Sequence, residues 1–249
     1  MNVGMYQSAA SISALEKWQD LVAQNITSND QTAYKKKTVS FSTEMAGEIQ
    51  ADARHAIGRG NGVPMLFPKI NTGISFNYGE SQRTRGELDV AIQGEGFFEV
   101  QNEDGSRIYT RNGQFRMRTD RTLVTSAGQE VMSTAGGPIT FLPNGGAIVI
   151  NENGTVMQGT VAVGRLALYQ FPDNSQLISA GNGYYLPPQG VEPEEVENPE
   201  LLQGYVEGSN TSSLREMVDL VLISRAYEAN QKMITTIDEQ MGKALDALG

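Results

Sequence analysis

The chain has 249 residues, with 19 Lys or Arg against 29 Asp or Glu and a formal net charge of −10. That acidic balance argues against nucleic acid as main partner, since phosphate binding needs clustered cations. No apolar run reaches bilayer-spanning length, so no direct membrane insertion is expected. With no cysteine and a single histidine, His55, disulfides, thiolate zinc sites and multi-histidine metal centres are excluded, and no metal or cofactor is expected.

The ends differ in kind from the middle. All 9 prolines lie between Pro64 and Pro199, and 23 of the 27 glycines between Gly58 and Gly208. This is the pattern of a turn-rich centre between helical ends. An α+β chain of three zones follows: an N-terminal helix over 1–30, a β-rich centre with extended connectors over 31–205, and a C-terminal helix over 206–249. The first basic residue is Lys17 and no apolar stretch precedes it, so no cleavable secretory signal is expected.

In the first zone Met5, Ala9, Ile12, Leu15, Val22 and Ile26 recur at spacings of three, four or their sum, and Trp18 and Leu21 widen the stripe. That spacing predicts an amphipathic helix. In the centre, Phe97–Gln101 and Arg107–Arg111 flank Asn102-Glu103-Asp104-Gly105-Ser106, a hairpin with Gly105 at the left-handed position. Phe115 and Met117 alternate with Gln114, Arg116 and Arg118, as a half-buried strand should. Turn chemistry recurs at Asn112-Gly113, Asn144-Gly145-Gly146 and Asn153-Gly154. Gln189 to Glu200, with five glutamates and two prolines, reads as a solvated connector.

The last zone carries the longest pattern. Leu220, Ile223, Tyr227, Asn230, Ile234, Ile237, Met241, Ala244 and Leu248 alternate spacings of three and four, as a coiled-coil seam does. Asn230 is polar at a seam position, where a buried amide fixes register. Ser213 and Glu216 read as a capping box. Leu214, Met217 and Val221 form a second apolar row beside the seam.

Motifs of chemistry are missing from the sequence. There is no G-x-S-x-G elbow, P-loop or H-E-x-x-H. Gly94-Glu95-Gly96 opens like a dinucleotide loop, but Glu99 stands at the sixth position and a strand follows instead of a phosphate-binding helix. Gly58, Gly60 and Gly62 run into Val63-Pro64, and His55 reads as a surface residue. No catalytic residue is assigned, and the chain is not read as an enzyme. Two other classes stay open: a secreted carbohydrate-binding or adhesive module on coiled-coil ends, and a hydrolase built on carboxylates of the β region.

The segment from Leu88-Asp89-Val90 through Gln93-Gly94-Glu95-Gly96-Phe97-Phe98-Glu99-Val100 resembles the central signature of bacterial flagellar rod and hook proteins. The resemblance continues through Tyr109-Thr110-Arg111-Asn112-Gly113-Gln114-Phe115 and Leu123-Val124-Thr125. Glu207-Gly208-Ser209-Asn210, Glu216-Met217-Val218 and Arg225-Ala226-Tyr227-Glu228-Ala229-Asn230 are similar to that family's closing motif. Gln24-Asn25-Ile26 with Tyr34-Lys35 resembles a worn copy of its N-terminal signature. Ser28 and Ala33 stand where the signature usually has asparagine and, before the aromatic, glycine, which leaves the turn after the first helix open to differ. Gly136-Gly137-Pro138-Ile139 looks more like the proximal than the distal rod, and the chain looks short for a hook protein.

The resemblance implies a structural subunit of the flagellar basal-body rod, the shaft that carries motor torque across the periplasm. A distal-rod or hook-type axial subunit of the same family is the alternative. It also implies export, unfolded, through the flagellar type III apparatus, and homo- and hetero-oligomeric contacts with other rod subunits. The terminal helices would pair in an inner coiled-coil-like layer, with the β-rich centre outside. On that reading the subunit interface uses Met5, Ile12, Leu15, Val22, Ile26, Leu220, Ile223, Tyr227, Asn230, Ile234, Ile237, Met241 and Leu248.

Overall fold

The computed structural model describes residues 3–45 and 66–246; His55, the Gly58–Pro64 run and Leu248 lie outside them. The chain divides into two compact units. One contains α1 (Val3–Thr27), β1 (Lys37–Met45), most of β2 (Leu66–Ile74) and α2 (Ser213–Asp246). The other is built from residues 28–36 and 74–211.

In the helical unit α1 and α2 run antiparallel. Asn25 near the end of α1 meets Glu216 in the first turn of α2, and Ser8 near the start of α1 donates to Met233 Sδ at 3.4 Å. The apolar stripes expected from spacing face one another: Leu15, Val22 and Ile223 are buried together, with Trp18, Ile26, Leu220, Ala226 and Tyr227 packed around them. Strands β1 and β2 pair as a two-stranded ribbon, and the Phe41 ring stands edge-on to Trp18 with centroids 5.4 Å apart.

The β unit contains β3 (Ser81–Arg83), β4 (Val90–Gln93), β5 (Phe97–Gln101), β6 (Arg107–Thr110), β7 (Phe115–Met117), β8 (Leu123–Thr125) and β9 (Glu130–Val131). Then come β10 (Ile148–Ile150), β11 (Thr155–Gln158), β12 (Val161–Arg165), β13 (Leu168–Gln170), β14 (Ile178–Gly181) and β15 (Tyr184–Leu186). Last are β16 (Glu194–Glu195), β17 (Glu200–Gln203) and β18 (Tyr205–Glu207). The main sheet runs β14-β15-β6-β5-β9-β8-β7, with β13 joined to β5 and β16 to β13. Strands β10-β11-β12 form a smaller sheet, and β17 pairs β4 while β18 pairs β3. The expected hairpin is present, with Gln101 opposite Arg107 and Gly105 at a φ of +82°.

The central strands are buried on both faces. Successive side chains of a strand point to opposite sides, and Phe97 and Phe98 are both inaccessible. Phe98 joins the large aliphatic core with Val90, Val100, Leu123, Val156, Leu166 and Leu168. Phe97 joins an aromatic core with Tyr109, Phe171, Leu177 and Tyr185. The rings there meet edge-to-face, Phe97 to Phe171 at 5.7 Å and Tyr109 to Phe171 at 5.0 Å, the favoured arrangement for ring quadrupoles.

Four local expectations are corrected. Phe115 is buried against Phe98 in the aliphatic core, but Met117, two residues on in the last strand of the sheet, lies outside that core and is 50% exposed. The Gln189–Glu200 stretch is more than a solvated connector. Its Glu194 and Glu195 form β16 against β13, and Val196 N–H donates to Leu168 O at 2.9 Å, so the carboxylates are exposed while the backbone belongs to the sheet. Ser213 is already helical, so the helix begins one residue earlier than a capping box on Ser213 requires. Gly113 has no left-handed φ; it is needed for close approach, since a Cβ there would fall 1.8 Å from Val90 O.

The turn after the first helix forms with Ala33 in place of glycine. Ala33 takes a left-handed φ of +56° and donates its N–H to Glu207 O at 2.7 Å. The conformation is the one glycine adopts freely, reached here by a residue that has to tolerate some strain.

Candidate functional site

Of the residues expected at a helical interface, the structure sorts three depths within the helical unit. Leu15, Val22 and Ile223 are buried, Ile223 at 1% exposure. Ile12, Ile26, Leu220, Tyr227, Asn230, Ile234 and Ile237 are half-buried, and Met241 is exposed at 43%. Met5 lies in α1, and its side chain, like Leu248, is outside what the structure describes. The exposure of Met241 has a geometric cause. From Asn25–Glu216 to Ser8–Met233, each residue back along α1 advances one along α2, which sets Val3 opposite Asp238. The final turns of α2 therefore run past the start of α1.

Asn230 is satisfied locally: its Nδ2 donates to Ala226 O, one turn back, at 3.0 Å. The second row stands out in the other direction. Leu214 is 77% exposed, and Met217, Val218, Val221 and Leu222 are each about half exposed. Large apolar side chains gathered on one helical face and left in water mark an interaction surface.

A buried polar junction closes the helical unit. Asn25 donates from Nδ2 to Lys37 O at 2.9 Å and to Glu216 Oε2 at 3.1 Å, and its Oδ1 accepts from Lys37 N–H at 2.9 Å. One amide thus ties the end of α1 to the start of β1 and the first turn of α2, where a carboxylate also suits the helix dipole. Spacing alone did not single it out, since an Asn near a helix end reads as a cap or turn residue. Asn25→Ala should lower the stability of the helical unit by about 1–3 kcal/mol. A thermal melt read by helical signal tests this, and an unchanged midpoint would contradict it.

A second buried polar group lies wholly within the β unit. Glu207 accepts from Lys35 Nζ at 2.6 Å through one oxygen and from Arg111 Nε at 2.5 Å through the other. Gly79 N–H adds a third bond, at 3.0 Å. Arg111 also donates to the carbonyls of Gly94, Gly96 and Ile92 at 2.9, 2.8 and 3.2 Å. The Tyr78 ring lies over its guanidinium, 4.9 Å from the centroid. Each member of the cluster came from a different block of the family resemblance: Tyr34-Lys35, Arg111-Asn112-Gly113 and Glu207-Gly208. The sequence showed the blocks but gave no sign that their charges meet.

Burial pushes the Glu207 carboxyl up, but Arg111 and then Lys35 outweigh it and hold it below the ordinary value of 4.5. A carboxylate depressed in the folded state adds stability above its unfolded pKa and loses it as pH falls through the folded value. The stability difference between the natural chain and Glu207→Gln should therefore be constant above about pH 6 and shrink as the pH drops below about 4.5. Urea melts at a series of pH values measure it; a difference still constant at about pH 3 would contradict the assignment.

Among the described residues no three imidazole, thiol or carboxylate groups gather as metal ligands, and no helix is long and apolar enough to cross a membrane. A shallow polar depression beside the β5–β6 turn is lined by Gln101, Glu103, Arg118 and Glu130. Its Arg118 is already bound to Asp120 and Glu130, both at 2.6 Å.

Two sequence comparisons bear on these surfaces. Residues 91–158 match the family described as flagellar hook protein FlgE/F/G D1 domain, and residues 202–247 match the flagellar basal body rod FlgEFG protein C-terminal family. The flagellar basal-body rod protein FlgF of Caulobacter vibrioides is 33% identical over 251 residues, spanning 100% of this chain and 99% of that protein. FlgF of Rhizobium meliloti is 26% identical over 252 residues, with the same coverage. The rod protein FlgG of Borreliella burgdorferi is 29% identical over 257 residues, 96% of each chain. With a relative matched from end to end at that identity, the chain belongs to the family of flagellar basal-body rod proteins.

Proposed function

We propose that the chain is a structural subunit of the flagellar basal-body rod, of the proximal-rod type, working by assembly rather than catalysis. Its partners are other rod subunits, of its own and related kinds. In the assembled shaft the terminal helices form a coiled-coil-like inner layer, the β unit lies outside, and torque passes through both. Export through the flagellar type III apparatus delivers the chain to the growing rod. The full-length match to rod proteins named FlgF supports the proximal type.

The observation that carries this reading is the row of exposed apolar side chains on α2, Leu214, Met217 and Val221, beside a seam already occupied by α1. A second subunit covers that row. The half-buried seam residues Ile12, Ile26, Leu220, Tyr227, Asn230, Ile234 and Ile237 are completed by the same contacts, together with Met5, Met241 and Leu248. The buried Leu15, Val22 and Ile223 hold the pair itself.

The test uses the exposure of the row. Leu214→Lys with Val221→Lys alters side chains that already face water in the single chain, so the melting profile should stay within experimental error of the natural chain. Complementation of a deletion strain should then fail, with no rods in basal-body images. Normal rods built from the double variant would remove the row from the interface. An adhesive module would instead keep its binding through the same change.

A further inference from the structure

The β unit is linked to the helical unit by three stretches of chain. Residues 28–36 follow α1, residues 75–79 follow β2, and residues 207–211 lead into α2. Within the β unit these stretches are bound to one another. Asn210 N–H donates to Tyr34 O at 3.3 Å, Lys36 N–H to Asn210 Oδ1 at 2.6 Å, and Ser75 N–H to Lys36 O at 2.9 Å. Asn210 Nδ2 donates to Ser75 O and Asn77 O, both at 2.8 Å. Two of the stretches touch backbone to backbone: a Cβ on Gly79 would fall 1.9 Å from Gly208 O.

The charged cluster sits at the centre of this crossing. Lys35 comes from the first stretch, Glu207 from the third, and Gly79 N–H from the second, while Arg111 anchors all of them to the turn between β4 and β5. The Lys35 side chain is 0% exposed, and those of Arg111 and Glu207 are 2% exposed. Two buried cations against one anion are a poor device for stability, because apolar groups of similar volume commonly do as well or better. What such a network supplies is geometry. Glu207 can meet both cations and the amide only when the three stretches are aligned in one way, and the carbonyls around Arg111 allow the second cation to stay buried.

We propose that the Lys35–Glu207–Arg111 cluster is a clamp that fixes the mutual register of the three connecting stretches, and that it serves this register rather than the stability of the β unit. The inference rests on the β unit alone and stands whatever position the chain holds in the rod.

The test compares the full-length natural chain with an apolar replacement, Lys35→Met, Arg111→Met and Glu207→Leu together, by residue-resolved hydrogen exchange. The reporters are the amides of Ala33, Lys36, Ser75 and Asn210, whose acceptors the replacement keeps: three are backbone carbonyls and one is Asn210 Oδ1. The expected result is a β-unit melt close to that of the natural chain, with exchange at the four reporters at least ten-fold faster. The core amides of Val100 and Leu123 should keep their protection. Reporters that stay as protected as in the natural chain would overturn the proposal, because apolar packing would then suffice for register. Core and reporter protection falling in parallel would overturn it too, by making the cluster a plain contributor to stability. Lys35→Met with Glu207→Gln supplies the second reading should the triple replacement fail to fold. It removes one cation together with the anion, so the net charge of the cluster is unchanged and Arg111 keeps its three carbonyl acceptors, and selective loss at the reporters supports the clamp. Global unfolding of both variants counts against it.

Discussion

Ile223→Glu should leave the β unit folded and abolish rods. Ile223 is 1% exposed and packs with Leu15 and Val22, the other buried side chains of its apolar cluster among the described residues. A carboxylate placed there is desolvated among apolar side chains, at a cost of several kcal/mol. Losing Ile223 leaves two of these buried side chains, together worth about 3–6 kcal/mol, against that cost. The helices should therefore separate, and helices freed of their partner are marginal in water. The β unit has its own two cores and should melt as before. Circular dichroism read beside basal-body images checks both halves of the expectation. Retained helical content with normal rods would contradict it.

Phe98→Ala should be the most damaging single truncation in the β unit. The side chain is 0% exposed and meets Phe115 edge-on at 5.0 Å, within the aliphatic core. It also lies against the crossing where Gly113 touches Val90: a Cβ on Gly113 would stand 3.1 Å from the Phe98 ring. Removing a ring from so close-packed a place loses its transfer energy and leaves a cavity, together about 3–5 kcal/mol. That is a large part of the usual net stability of a domain, about 5–15 kcal/mol. For a unit of this size the melting temperature should fall by roughly 10 °C or more. Differential scanning calorimetry measures it, and a fall of a degree or two would show that the core refills the space.

The two terminal helices were legible because spacing of three and four over many turns is a strong, local pattern. Spacing did not rank the seam positions. Ile223 and Met241 look alike in the sequence, and their burial differs because α1 has 25 residues and α2 has 34, so Met241 lies past the position opposite Val3. The Phe97–Gln101 hairpin was legible through Gly105. The two-sided burial of its strands was not, since Phe97-Phe98 reads equally well as a strand with one sheltered face. Strand β16 was hidden because its glutamates are exposed and only its backbone enters the sheet. The least legible feature was the Lys35–Glu207–Arg111 cluster. Its members are separated by as many as 172 residues along the chain, and no periodicity links charges across that distance.

Electron cryo-microscopy of basal bodies purified from cells making this chain tests the central claim most directly. The required result is rod density that fits α1 and α2 lining the inner wall, with apolar contacts from Leu214 and Val221 to a neighbouring subunit and the β unit on the outside. Rods that lack the chain, or a lumen lined by the β unit with α2 facing solvent, would contradict it.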